Sequence, residues 1–343
     1  MRWLTRAFGG DARAPRDIDS ALRSALLSVL DRDLDRAESL LSQAVRADSE
    51  AVVPYLALAR LFRMRGEIGR AIRIHQNLLL RPDLDPGLRV VVLGDLAADF
   101  RQGGFLRRAI ASYEEVLARD RRHLGALRAL VRLFADVREY PRSLEMARRL
   151  AKLERGPRGP AEASLLVEMA EAAQAEGRRE DARRAARRAL RKDRACLRGW
   201  LVLGALEAER GREKAAIAAW GRVPELDRRS GPLVYPQLEA TYTSSGRPRD
   251  YEAFLRRLLN QRPDDPAARL ALARALAARG DVDEAIGELR RILERDPDDL
   301  EARGTLGRIL LSEHRDPETT KEYAELLDVL ERRGLLRTPE ELE

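Results

Sequence analysis

The chain has 343 residues, 35% of them charged and only 5% aromatic, and its 64 basic and 57 acidic side chains leave a formal charge of +7 with a pI near 9.9. Ala, Leu, Arg and Glu dominate, the composition of helices packed through small and aliphatic side chains, so an all-α fold is expected. Cys196 is the single cysteine, which excludes an intrachain disulfide and a cysteine zinc cage. No run approaches the roughly 18 apolar residues of a spanning helix.

Residues 1–17 read as a flexible basic lead-in. "MRWLTRAFGG" stops before a signal-peptide apolar core develops, so a cytoplasmic protein is expected. Trp3, Leu4 and Phe8 fall on one side of a short turn, enough for weak peripheral membrane contact because a second anchor is missing. From Ile18 onward a pattern sets in. Ala37, Ala71, Ala109, Ser143, Ala182, Ala216, Tyr251 and Ala285 follow one another at spacings of 34, 38, 34, 39, 34, 35 and 34. Twelve residues before most of them stands a second small residue: Ala25, Ala59, Ala97, Ala170, Gly204 or Ala273. Gly66, Gly104, Gly177, Gly211, Gly246 and Gly280 lie five residues ahead and mark the turn between two helices.

A period of 34 made of two closely crossing helices resembles the tetratricopeptide repeat, and "WLVLG" at Trp200 to Gly204 resembles its opening. The expected architecture is therefore an all-α, right-handed superhelical solenoid of about eight to nine helix-turn-helix units over residues 18–333. The longer spacings place extra residues in the inter-repeat loops "LRPDLDPG" and "ERGPRGP". A degenerate last unit around Leu306, Gly307 and Thr319 is read as a cap, and residues 334–343 as an acidic tail.

His75 falls at a packing position of the second helix, while His123 and His314 stand near turns without a second ligand at metal spacing, so no metal or cofactor is expected. Cys196 beside Arg194 and Arg198 has no assigned histidine and reads as inert. In "RREDARRAARRALRKDR", Arg183, Arg184, Arg187, Arg188 and Arg191 share a helix face opposite Ala182, Ala185, Ala186, Ala189 and Leu190. Without interleaved aromatics this is an outer solvated face, and no nucleic-acid partner is expected. Phosphate loops, serine elbows and metal-spaced triads are absent from the sequence, so the chain is read as non-enzymatic.

Solenoids bind through a concave surface, which the resemblance to tetratricopeptide repeats assigns to the first helix of each unit. The candidate partner-binding residues are Arg60 and Arg63, Arg101 and Gln102, then Arg128 and Arg132, a stripe suited to capturing a partner's carboxylates.

"LFRMRGEIGRAIRIHQNLL", Leu61 to Leu79, resembles more than a generic repeat. Arg65, Gly66 and Glu67, followed by Arg70 to Gln76, are similar to the hallmark block of the lipopolysaccharide assembly protein B family, and "LGALRALVRLF", "VYPQLEATY" and "YEAFLRRLL" extend the resemblance to roughly residues 20 to 330. It implies a non-enzymatic adaptor at the cytoplasmic face of the inner membrane. Members promote turnover of the deacetylase that commits precursors to lipid A, by linking it to the membrane protease FtsH. The family begins with a membrane-spanning helix and ends in a rubredoxin-like zinc module; neither pattern is legible here, and an array lacking both is expected. The other reading is a general peptide-docking scaffold of an envelope or secretion assembly complex.

Overall fold

The computed structural model describes residues 16–156, 159–313, 316–333 and 335. Trp3, Leu4, Phe8, His314 and nearly all of the expected lead-in and tail lie outside the described residues.

Every described regular element is helical. In the first half α1 (Arg16–Leu30) pairs with α2 (Leu34–Ala47), α3 (Val52–Met64) with α4 (Ile68–Leu79), α5 (Pro86–Gln102) with α6 (Leu106–Arg119), and α7 (Leu124–Asp136) with α8 (Tyr140–Glu154). Next come α9 (Gly159–Ala175) with α10 (Arg179–Lys192), and α11 (Leu197–Ala208) with α12 (Glu213–Trp220). After a short α13 (Arg222–Leu226) and a 3-10 turn (Arg228–Leu233), α14 (Tyr235–Ser244) pairs with α15 (Pro248–Gln261), α16 (Pro266–Arg279) with α17 (Val282–Leu293), and α18 (Leu300–Ser312) with α19 (Asp316–Arg332). That makes nine hairpins among the described residues. The chain divides into two compact units, Met1–Leu165 and Leu166–Glu343, within α9 and just past the "ERGPRGP" loop.

The six turn glycines all take positive φ, between 67° and 94°. At Gly66 this left-handed residue lets the next amide, Glu67 N–H, reach back to the Phe62 carbonyl at 2.8 Å, which ends α3 and starts α4. Arg32 and Arg138 do the same job at φ of about 60° without being glycine, with Asp33 N–H bonding Ser28 and Glu139 N–H bonding Phe134.

The small residues of the pattern sit where helices cross. Ala37, Ala59, Ala71, Ala97, Ala109, Ala182, Ala216 and Ala285 are fully buried. A Cβ placed on Gly204 would lie 2.3 Å from the Trp220 ring, so α11 and α12 cross here only because residue 204 has no side chain. At Ser143, fully buried, the hydroxyl donates to the Val131 carbonyl at 2.6 Å and so meets the cost of burying a polar group. In the first unit a phenylalanine near the end of a first helix receives an arginine eight residues later: Arg70 over Phe62 at 3.6 Å, Arg108 over Phe100 at 5.8 Å, and Arg142 over Phe134 at 4.1 Å.

Pro224 explains an element that the 34-residue period does not announce. Its missing N–H and its ring cannot continue the helix past Trp220, so the helix breaks at Gly221 and resumes as α13. Packing runs mainly between helices adjacent in sequence; around the break α11 also meets α13 and α12 meets α14, and first helices meet directly, α3 with α5, α14 with α16, and α16 with α18.

Candidate functional site

The candidate arginines of the first unit stand at the junction of α3 and α5. Arg60 and Arg63 project from one face of α3 because they are three residues apart, and Asp95 and Asp99 answer from α5 four residues apart. Arg60 donates through Nε and Nη2 to Asp95 Oδ2 at 2.9 and 2.6 Å. Arg63 donates to Asp95 Oδ1 at 3.1 Å, to the Asp95 carbonyl at 3.0 Å and to Asp99 Oδ1 at 2.8 Å. Burial works against the Arg63 charge, but the bonds to Asp99 and Asp95 outweigh it and raise its pKa.

The second oxygen of Asp99 meets His75 Nδ1 of α4 at 2.5 Å, and both side chains are fully buried. A carboxylate oxygen accepts, so His75 Nδ1 carries the hydrogen and donates to Asp99. Its Nε2 is buried without a hydrogen-bond partner among the described residues. Thus the packing position expected for His75 holds, but the residue packs as the polar end of a five-residue network.

Gln102 joins the same junction by donating to the Arg63 carbonyl at 3.2 Å. Arg101, its neighbour, is exposed and forms no hydrogen bond or ion pair with a described residue, although its charge, with that of Arg63, opposes the upward push that burial gives the Tyr113 hydroxyl. Arg128 of α7 donates to Glu154 at 2.5 Å, and Arg132 is likewise partnered. The structure therefore brings Arg60, Arg63 and Gln102 into one strut between repeats, leaves Arg101 beside it as an open cation, and commits Arg128 to Glu154 instead.

The α10 arginines do not form the single solvated face expected of them. Arg183 and Arg187 turn toward α11, where Glu207 is 1% exposed; Arg187 donates to it at 2.9 Å, and Arg183 and Arg212 lie 3.6 and 3.8 Å away. Arg184 pairs with Asp181, whose carboxyl its hydrogen bond holds low, followed by that of Arg178. Only Arg188 and Arg191 of the five stay exposed with no ion pair to a described residue. The reason is tertiary: an α10 arginine reaches a carboxylate 20 residues onward that the helix wheel cannot display.

His123 has a local role. Its Nδ1 accepts the Ala126 N–H at 3.0 Å and caps α7. Cys196 is half-buried at the start of α11. Among the described residues no three His, Cys, Asp or Glu side chains converge as a metal-holding group, and no helix is long and apolar enough to cross a membrane.

Asp95, Asp99 and Glu207 were not singled out from the sequence. A signal was present for the first two: they stand about one repeat after their arginines, 35 and 36 residues, inside the otherwise apolar stretch Val90 to Phe100 of α5.

Models of the tetratricopeptide repeat match residues 167–225 and 242–318. These two stretches carry tetratricopeptide repeats. The chain is similar to lipopolysaccharide assembly protein B of Escherichia coli K12, with 26% identity over 257 residues, 75% of this chain and 66% of that protein. The Haemophilus influenzae protein of the same name is 28% identical over 235 residues, 68% of this chain and 59% of that one. The chain thus spans just under two thirds of the length of these relatives. Among solved structures, the C-terminal part of a repeat-containing protein from Cytophaga hutchinsonii aligns with 73% of this chain and 99% of its own at 13% identity and a TM-score of 0.46. A tetratricopeptide-repeat protein from Parabacteroides merdae aligns with 86% of this chain and all of its own at 12% identity and a TM-score of 0.37.

Proposed function

We propose that this chain is an adaptor similar to lipopolysaccharide assembly protein B, which holds a client enzyme of lipid A biosynthesis on its first-helix face and presents it to a membrane protease. The client class is the deacetylase of that pathway and the protease is FtsH, with weak peripheral membrane contact bringing the three together. The observation that carries the reading is the use the fold makes of the block Arg65 to Gln76. Its His75 locks Asp99, Asp99 locks Arg63, and this strut holds α3 against α5 with Arg101 beside it.

Arg60, Gln102, Arg128 and Arg132 line the same set of first helices in this reading, but Arg101 is the contact to test. It is exposed and uncommitted, whereas Arg63 holds the scaffold. Tagged wild type and Arg101→Glu are used to capture proteins from a lysate of the source bacterium, with recovery read by mass spectrometry. Recovery of the deacetylase or FtsH by wild type, reduced severalfold in the variant, supports the adaptor role. Recovery of neither by wild type, with other proteins enriched, refutes the lipid A assignment and favours the general docking scaffold.

A further inference from the structure

The second unit holds a pocket of about 180 Å³ on its first helices. Small-molecule sites run to about 300–1,000 Å³, so this one has room for a single side chain. Pro232 and Pro236 and the buried Tyr235 form its walls, with Leu270 from α16. Tyr235 can sink this deep because Gly231 has no side chain: a Cβ there would come within 2.5 Å of the tyrosine hydroxyl. The Tyr251 hydroxyl donates to the Tyr235 carbonyl at 3.1 Å and fixes the wall in place.

Of the two carboxylates that line this pocket, Glu301 is taken by Arg274, while Glu239 is half-buried and without a hydrogen bond or ion pair to any described residue. Arg274, the cation that also lines it, is directed to α18, where it bonds Glu301 at 2.9 Å and Thr305 at 3.4 Å. Burial lifts the Glu239 carboxyl above the usual carboxylate range, against the opposing pull of Arg274. An apolar occupant would bury that carboxylate further with no partner. A planar cation would instead stack on the flat proline and tyrosine walls while donating two hydrogen bonds to one carboxylate, which a guanidinium does and an ammonium does not.

We propose that this pocket seats an arginine side chain of a protein partner, its guanidinium on Glu239 and its stem along Pro236 and Leu270. The proposal rests on the adaptor reading and adds to it a second contact of opposite sign to Arg101.

The test uses the full chain and Nα-acetyl-argininamide in saturation-transfer NMR, with the citrulline and lysine amides as controls. Saturable binding of the arginine probe is expected, at least tenfold weaker for citrulline, which keeps the shape without the charge. Glu239→Gln is expected to lose the arginine probe by a similar factor while its thermal midpoint rises without ligand, because a desolvated carboxylate has been removed. A merely structural Glu239 would lower that midpoint. No saturable binding to wild type, or equal binding of citrulline, overturns the proposal whether or not the variant folds. Equal binding of lysinamide overturns the guanidinium assignment. Client capture that survives Glu239→Gln while the Arg101 effect persists counts against this pocket and leaves the adaptor reading intact.

Discussion

Gly204 and Arg32 show how single positions carry the hairpin. With Trp220 2.3 Å from where its Cβ would lie, Gly204→Ala is expected to lower stability by about 1–3 kcal/mol, the usual range for overpacking, as measured by chemical denaturation. Arg32 makes the opposite case. It takes φ of 61° in an exposed turn where its cousins are glycine, and an L side chain in that region costs about 1 kcal/mol or more. Arg32→Gly should therefore raise stability by about 0.5–1 kcal/mol; a drop would mean that the arginine side chain contributes more than its backbone loses.

Between elements, the strut joining α3, α4 and α5 separates scaffold from surface. Asp99 is fully buried between Arg63 and His75, so Arg63→Ala leaves a carboxylate with half its partners and is expected to cost about 3 kcal/mol, the scale for breaking a buried pair. Arg101→Glu, on an exposed position one repeat further along, should stay within about 0.5 kcal/mol of wild type. Comparing the two melting curves checks the assignment. Similar losses would mean that Arg101 also belongs to the strut, and the capture experiment would then need a different probe of the face. Reversal of Arg60 or Arg63, which the sequence alone recommends, would confuse unfolding with loss of binding.

Over the whole molecule, charge is handled in the same periodic way. Arg142 pairs with Glu114, Arg256 with Glu284, Arg290 with Glu318 and Arg198 with Glu171, each separated by 27 or 28 residues, so opposite charges sit in adjoining hairpins. Exposed pairs of this kind are worth between zero and about 1 kcal/mol each, and they set register and solubility more than stability. What holds the array is nearest-neighbour burial, and stability in such arrays is a sum of local terms. Gly204→Ala should therefore speed amide exchange in α11, α12 and their immediate neighbours and leave α3 and α5 protected. Equal loss of protection in both places would mean that the units unfold as one.

The 34-residue period, the turn glycines and the alanines at helix crossings were legible in the sequence because each answers a local or near-neighbour demand: a left-handed backbone, or a crossing too close for a side chain. Pro224 was readable only afterwards, since the break it causes leaves the spacing nearly unchanged. The fate of the charges was decided by tertiary structure alone. A helix wheel shows that Arg60 and Arg63, or Arg183 and Arg187, share a face, but their partners Asp95, Asp99 and Glu207 come from another helix, and only packing reveals which arginine is consumed and which, like Arg101, stays open. The same holds for Glu239, one ordinary carboxylate among 57 acidic residues until α14 and α16 close a pocket around it.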